Sequence, residues 1–167
     1  MIADAVRLMF FPAMMAFAAS SDLLTMTISN RVSLALVGGF FVLAAAGGMG
    51  IADMLSHLGA AGVVLVAAFG LFVRGWVGGG DAKLAAATAL WIGFDQLLPY
   101  VAYASLLGGA LSVVLLQFRL APLPHWLAGA KWVQRLHAHG AGVPYGIPLA
   151  AAALAVYPHT PWMAPGP

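Results

Sequence analysis

Two aspartates carry the chemistry open to this chain. Asp81 stands behind three glycines in Gly78-Gly79-Gly80-Asp81, and Asp22 follows a long apolar run. Charged residues make up 7% of the 167, and there is no Glu. A carboxylate at membrane depth is costly and by default marks a functional site. Two carboxylates brought to one site divide their roles, because like charges in contact cannot both ionise easily and one keeps a proton. The ionised member takes a proton from water; the protonated member hydrogen-bonds a scissile carbonyl and donates to it. That is aspartyl-protease chemistry, and its titration belongs to the pair. The glycines suit it, since a segment without Cβ atoms lets another backbone come close. A substrate peptide lying extended beside Gly78–Gly80 as an added strand is one expectation. The plainer alternative makes Gly78–Gly80 a flexible break and Asp81 a cap on the next helix. Asp22 would then only close the first apolar span, with Asn30 starting the second.

The elements that must position these residues are transmembrane helices. Hydrophobic residues reach 63% and mean hydropathy is +0.97, against roughly 45–50% apolar residues in a soluble domain. Apolar stretches this long read as membrane-spanning helices, since lipid leaves backbone groups no other partner. A membrane β-barrel would show alternating segments of about ten residues, and none appear. No polar stretch is long enough for a separate soluble domain. The expected architecture is therefore all-α and polytopic, a single domain over 1–167. Six spans are predicted, at about 4–21, 32–51, 58–76, 82–97, 99–117 and 144–160, with Pro12 kinking the first.

Charge then orients the spans. With six spans both termini share a face. Loops 22–31, 73–83 and 118–143 fall on the other face, with Arg31, Arg74, Lys83, Arg119, Lys131 and Arg135. The terminal face holds only Arg7 among the basic residues, and with it Asp4, Asp53 and Asp95. The positive-inside rule makes the basic face cytoplasmic and puts the termini on the outer side. Asp22 and Asp81 are separated by two spans, so both lie at the cytoplasmic boundary. Residues 1–20, with Arg7, an apolar core and Ala16-Phe17-Ala18, also look like a signal peptide. Cleaving them would leave five spans and turn most basic loops outward, against the charge rule, so they are read as the first span.

These residues resemble those of a known family. Gly78-Gly79-Gly80-Asp81 is similar to the G-x-G-D motif of the type IV prepilin peptidases, membrane aspartyl proteases related in mechanism to presenilin-type proteases. The segment from Ser21-Asp22 to Thr27-Ile28-Ser29-Asn30-Arg31 resembles their first catalytic segment, an Asp followed by a short loop ending in Ile-Pro-Asn. Lys83 fits the usual continuation after the second Asp. Val143-Pro144-Tyr145-Gly146-Ile147-Pro148 resembles the Pro-aromatic-Gly segment that opens the last helix. The matches run in order over residues 20–150. The resemblance implies an enzyme of the bacterial inner membrane that removes the leader of prepilins or pseudopilins on the cytoplasmic side. Cleavage would fall just before the substrate's hydrophobic helix, typically after a Gly. Asp22 and Asp81 would be the catalytic pair, with Gly78, Gly79, Gly80, Lys83, Asn30, Pro144 and Gly146 shaping the site around substrate and backbone. Ser29 departs from the pattern, standing where the family often has Pro. Larger members carry paired CxxC motifs that bind zinc, and they N-methylate the new terminus; a chain with no Cys lacks that half. The short form resembles the peptidases of tight-adherence (Flp-type) pilus systems, the CpaA/TadV-like group.

Other features read as supporting structure. In the loop 118–143, Trp126, Ala130, Trp132, Val133 and Leu136 share one side of a helical wheel, opposite Lys131, Gln134 and Arg135. This predicts an interfacial helix over about 125–138 lying on the bilayer surface. His125, His137 and His139 have no Asp, Glu or Cys beside them, so no metal is expected, and no cofactor. Trp91, Trp162, Tyr100 and Tyr157 fall near span ends as an aromatic belt. Gly38-Gly39 and Gly47-Gly48 suit close helix packing. No nucleotide, nucleophile-elbow or nucleic-acid motif appears. The expected partners are the prepilin substrate and the lipid bilayer; nothing in the sequence specifies an oligomeric state. Two other functions fit parts of the pattern. A small ion- or proton-coupled transporter would use the aspartates as ligands, but such carboxylates sit near the bilayer midplane. A non-catalytic pilus or secretion assembly subunit would have no need to keep both.

Overall fold

The structure is a computed structural model describing residues 2–163. Seven α-helices follow one another: α1 (Ile2–Thr25), α2 (Asn30–Ala46), α3 (Ile51–Val73), α4 (Gly79–Ile92), α5 (Leu97–Leu120), α6 (Lys131–His137) and α7 (Gly146–Val156). Two 3-10 turns, Tyr157–His159 and Pro161–Met163, end the described residues. No strand occurs among the described residues. The side chains of Asp4 and Arg7, which the charge pattern places on the outer face, lie outside the described residues.

Among the described residues, three helices are long and apolar enough to cross a membrane: Leu8–Thr25 within α1, Ile51–Val73 and Leu97–Leu120. This is half the six spans the hydropathy predicts. Asn30–Ala46 and Gly146–His159 are apolar but shorter. The prediction at 82–97 lands on α4, whose 14 residues span only about 21 Å. The reason is burial. From Ala86 to Ile92 every residue of α4 is buried, so its apolar character serves packing against protein, not lipid. Helix α4 packs on α2, α3 and α7, and α7 packs on α1, α4 and α5. These two short helices form the centre, and the longer ones surround it.

Several boundaries shift for local reasons. Helix α2 ends at Ala46, because Gly48 takes a left-handed φ of 68° and Gly47 caps the helix. Gly47-Gly48 is thus a turn and not a packing surface, and α3 begins at Ile51, seven residues before the predicted start. Gly39 is the packing glycine of the first pair: an added Cβ there would fall 2.3 Å from the Phe10 ring. Helix α1 runs on through Pro12. The predicted interfacial helix contracts to α6. Trp126 precedes α6 and is 81% exposed, while Val133 and Leu136 are buried.

The aromatic belt is corrected outright. Trp91, Tyr100, Tyr157 and Trp162 are all core residues, none more than 4% exposed. Trp91 Nε1 donates to Leu36 O at 3.0 Å, and Trp162 Nε1 donates to Trp91 O at 2.7 Å. Phe11 stacks on Tyr157 at 4.6 Å and Trp91 meets Trp162 at 4.8 Å. Such pairs contribute about 0.5–1.5 kcal/mol each beyond burial. They clamp the end of α4 to α1, α2 and the C-terminal turns.

Candidate active site

The α1–α2 connection is shaped by its own polar residues. Asp22 lies in the last turn of α1, and the helix stops three residues later. Met26 takes a left-handed φ of 55°, and its N–H closes on Asp22 O at 2.8 Å. Thr25 and Ser21 hydroxyls both donate to Thr27 O, which folds the loop back. Ser29 is the N-cap of α2, its Oγ accepting from Arg31 N at 3.3 Å. The departure from the family's Pro therefore supplies a helix cap, the role Ser fills best.

The α3–α4 connection brings up Asp81. Gly78 is the N-cap of α4 in extended conformation, and Asp81 is the third residue of the helix. Its carboxylate turns back toward Gly78, whose backbone amide favours the ionised form. An added Cβ on Gly78 would fall 2.8 Å from Asp81 Oδ2. The next two glycines are not open to a substrate strand: a Cβ on Gly79 would meet the Phe72 ring at 3.3 Å, and one on Gly80 would meet Ile28 Cβ at 3.2 Å. They seat α4 against α3 and against the loop that follows Asp22.

The third contribution comes from the start of α7. Pro144 is fully buried, and two residues on Gly146 N donates to Asp22 Oδ2 at 2.7 Å. A Cβ on Gly146 would fall 2.8 Å from that oxygen and 2.9 Å from both Asp22 Cβ and Ile28 Cδ1. The positive end of α7 thus faces the Asp22 carboxylate, which is 4% exposed.

Asp22 and Asp81 line one cavity of about 560 Å3, together with Trp76, Gly78, Arg135 and Tyr145. Asp81 lies outside the three helices long enough to span a membrane. Burial, and then the charge of Asp22, push its carboxyl up to about 6 despite the Gly78 N–H. Burial is the larger of the two causes, and the nearby like charge adds to it.

Of the other sequence-predicted residues, Lys83 and Asn30 meet: Lys83 Nζ donates to Asn30 Oδ1 at 2.9 Å. The contact ties the helix of Asp81 to the start of α2, just past the loop that follows Asp22. Both groups are solvent-accessible, so the tie is worth about 1 kcal/mol or less.

Arg135, which the sequence marked only as a basic loop residue, reaches the cavity wall and donates to Leu24 O at 2.7 Å. Arg119 holds the same segment from the other side, donating to Leu136 O and Gly142 O. Its signal in the sequence is slight, a single Arg in a basic loop. His137 bonds Ala121 O, and among the described residues no three His, Cys, Asp or Glu side chains converge as metal ligands.

No curated protein and no solved structure matches the chain significantly. The model of the type IV leader peptidase family matches residues 9–113. That segment includes Asp22, Asn30, Gly78–Asp81 and Lys83, and stops before Gly146. With well over half of its length matched, the chain belongs to the type IV leader peptidase family.

Proposed function

We propose that this protein is an aspartyl endopeptidase that removes the leader of type IV prepilins or pseudopilins, those of Flp/Tad-type systems, at the cytoplasmic membrane face. The observation that carries the reading is one cavity lined by both Asp22 and Asp81, from different helices, in a chain belonging to a leader peptidase family. In this mechanism the pair holds one proton. Asp81, half-buried on the cavity it shares with Asp22, holds it and hydrogen-bonds the scissile carbonyl. Asp22, its Oδ2 fixed by the Gly146 N–H, takes a proton from the attacking water. As the tetrahedral intermediate collapses, a proton passes to the leaving amine and the pair returns to its starting state.

A second cavity of about 380 Å3 supports a substrate with an apolar segment. It runs between α3 and α5 over α4, lined by small and apolar residues such as Ala67, Ala85, Val101 and Ala104. Val77, Asp81 and Tyr145 line both cavities. A peptide with its scissile bond at Asp81 would place a polar leader toward Asp22 and an apolar continuation along α3 and α5. The basic loops orient the dyad toward the cytoplasm and the termini outward.

The test is co-expression with a pilin precursor in cells lacking other leader peptidases. Wild-type protein is expected to yield mature pilin by mass spectrometry, cut just before the apolar segment. Persistence of the full precursor would overturn the reading and leave the transporter alternative, whose signature is aspartate-dependent ion flux in proteoliposomes.

A further inference from the structure

The apolar groove between α3 and α5 has a phenol on its wall whose hydroxyl is unpaired. Tyr100, in the first turn of α5, lines the groove and is 2% exposed. Its Oη is the one buried side-chain oxygen or nitrogen among the described residues that makes no hydrogen bond. A buried donor without an acceptor is costly, and Phe would fill the same space without that cost. A group of this kind asks for an explanation in a partner that the protein alone does not supply.

Two polar side chains act on the phenol. Thr88 stands beside it, but the pair falls short of hydrogen-bond geometry, and the Thr88 hydroxyl turns to Met15 Sδ at 3.7 Å. Asp81 is near enough for its charge to reach Tyr100, and it lines the same groove. Tyr145, where the two cavities join, already meets Ser112 Oγ at 3.3 Å. Thr88 is seven residues past Asp81, about 10 Å along α4. A segment lying extended in the groove advances about 3.3 Å per residue. Tyr100 therefore stands level with about the third residue beyond a bond held at Asp81. An extended segment there brings backbone carbonyls that need donors, and the alanines and valines of the walls have none to give.

We infer that Tyr100 is a substrate-binding residue: its Oη donates a hydrogen bond to a backbone carbonyl of the substrate's apolar segment, about three residues past the scissile bond. The inference rests on the leader-peptidase reading and adds a specificity determinant to it. A slight rotation of the phenol brings the covered Oη to a segment lying in the groove. The contact reads backbone, so it accepts any apolar side chain after the cut. It does require the segment to be extended, because in a helix the same carbonyl is spent on the N–H four residues on. The plain role of Tyr100, a ring packed in the core, is filled equally by Phe and leaves the hydroxyl unexplained.

The test uses full-length protein in lipid nanodiscs and a synthetic peptide with a polar leader ending in Gly and an apolar continuation. Wild-type protein is expected to cut it; a peptide left intact would overturn the leader-peptidase reading and this inference with it. Against that cleavage, Tyr100→Phe is expected to raise KM about three- to tenfold, the loss of one neutral hydrogen bond, with kcat nearly unchanged. Its melting temperature should stay level or rise, since the hydroxyl removed is unpaired in the free protein. Thr88→Val is expected to leave KM and kcat as they are. Esters replacing single amides after the cut weaken one carbonyl acceptor at a time. One ester is expected to raise KM for the wild type and not for Tyr100→Phe, which marks the carbonyl that Tyr100 contacts. An unchanged KM in Tyr100→Phe would overturn this inference alone and leave the hydroxyl without a role in binding. So would ester effects that simply add to Tyr100→Phe at every position, or melting lowered alike by Tyr100→Phe and Thr88→Val, which would give the hydroxyl to Thr88.

Discussion

Asp22→Asn and Asp81→Asn are each expected to abolish leader removal, lowering kcat by roughly 10^3-fold or more, as loss of a positioned acid or base does. Asn matches Asp in size and removes only the titrating group. At position 22 its amide oxygen can still accept the Gly146 N–H, and at position 81 it keeps the size and polarity of the group facing Gly78, so helix starts and packing survive. The expected pattern is therefore a folded, membrane-inserted protein with unprocessed precursor, read by immunoblot of co-expressed pilin and by purified kinetics. The two losses do not multiply: Asp22→Asn/Asp81→Asn is expected to be no worse than either single change, because a dyad works as a unit. Retained processing in either single variant would exclude the dyad. The wild type should also show an alkaline limb in kcat/KM. Asp81, pushed up to about 6 by burial and the Asp22 charge, must be protonated to donate. Activity then falls as pH rises through that value, approaching tenfold per pH unit, and the inflection belongs to the pair.

How much of this was legible in the sequence follows from what each signal depends on. Asp22 and Asp81 were legible because charge is rare in an apolar chain, so each carboxylate demands an account. Counting spans put them on one expected membrane face. Their common cavity comes from helix packing that no span count encodes, and three helices among the described residues are long enough to cross. Span number itself was not legible. Protein interior and lipid are equally apolar, so the hydropathy of α4 says that it avoids water and not what surrounds it. The same ambiguity misplaced Trp91 and Trp162, which fit an interfacial belt by position but spend their N–H groups on core carbonyls. For the glycines, composition gave the position and not the purpose. Gly79 and Gly80 face Phe72 and Ile28, neighbours that only the folded chain brings near. Arg135 reaches the cavity through a fold-back held by Arg119, and no local pattern encodes that.

Gly146 carries the second large effect, because it lies in the segment that the family match does not reach. Its N–H holds Asp22 Oδ2 at 2.7 Å, and the space for a side chain is already taken. A Cβ would fall within 2.9 Å of Asp22 Oδ2, Asp22 Cβ and Ile28 Cδ1. These atoms belong to a buried carboxylate and a packed loop, so they cannot all step aside. Either α7 retreats and the hydrogen bond breaks, or Asp22 turns away from the cavity. A hydrogen bond to a charged group is worth about 1.5–3 kcal/mol, and about 1.4 kcal/mol is tenfold in rate. Gly146→Ala is therefore expected to lower kcat between roughly 10- and 100-fold, and Gly146→Val further. KM should change little, since the apolar groove is lined elsewhere. The contrast is Gly109→Ala, where an added Cβ meets nothing within 4 Å and activity should be unchanged. A Gly146→Ala protein that melts as the wild type does yet cleaves slowly would place α7 in the catalytic apparatus through Asp22. One that cleaves at the wild-type rate would show that Asp22 needs no support from α7. The kinetics thus separate a backbone donor that positions a catalytic carboxylate from a glycine kept only for packing, and melting curves alone would not.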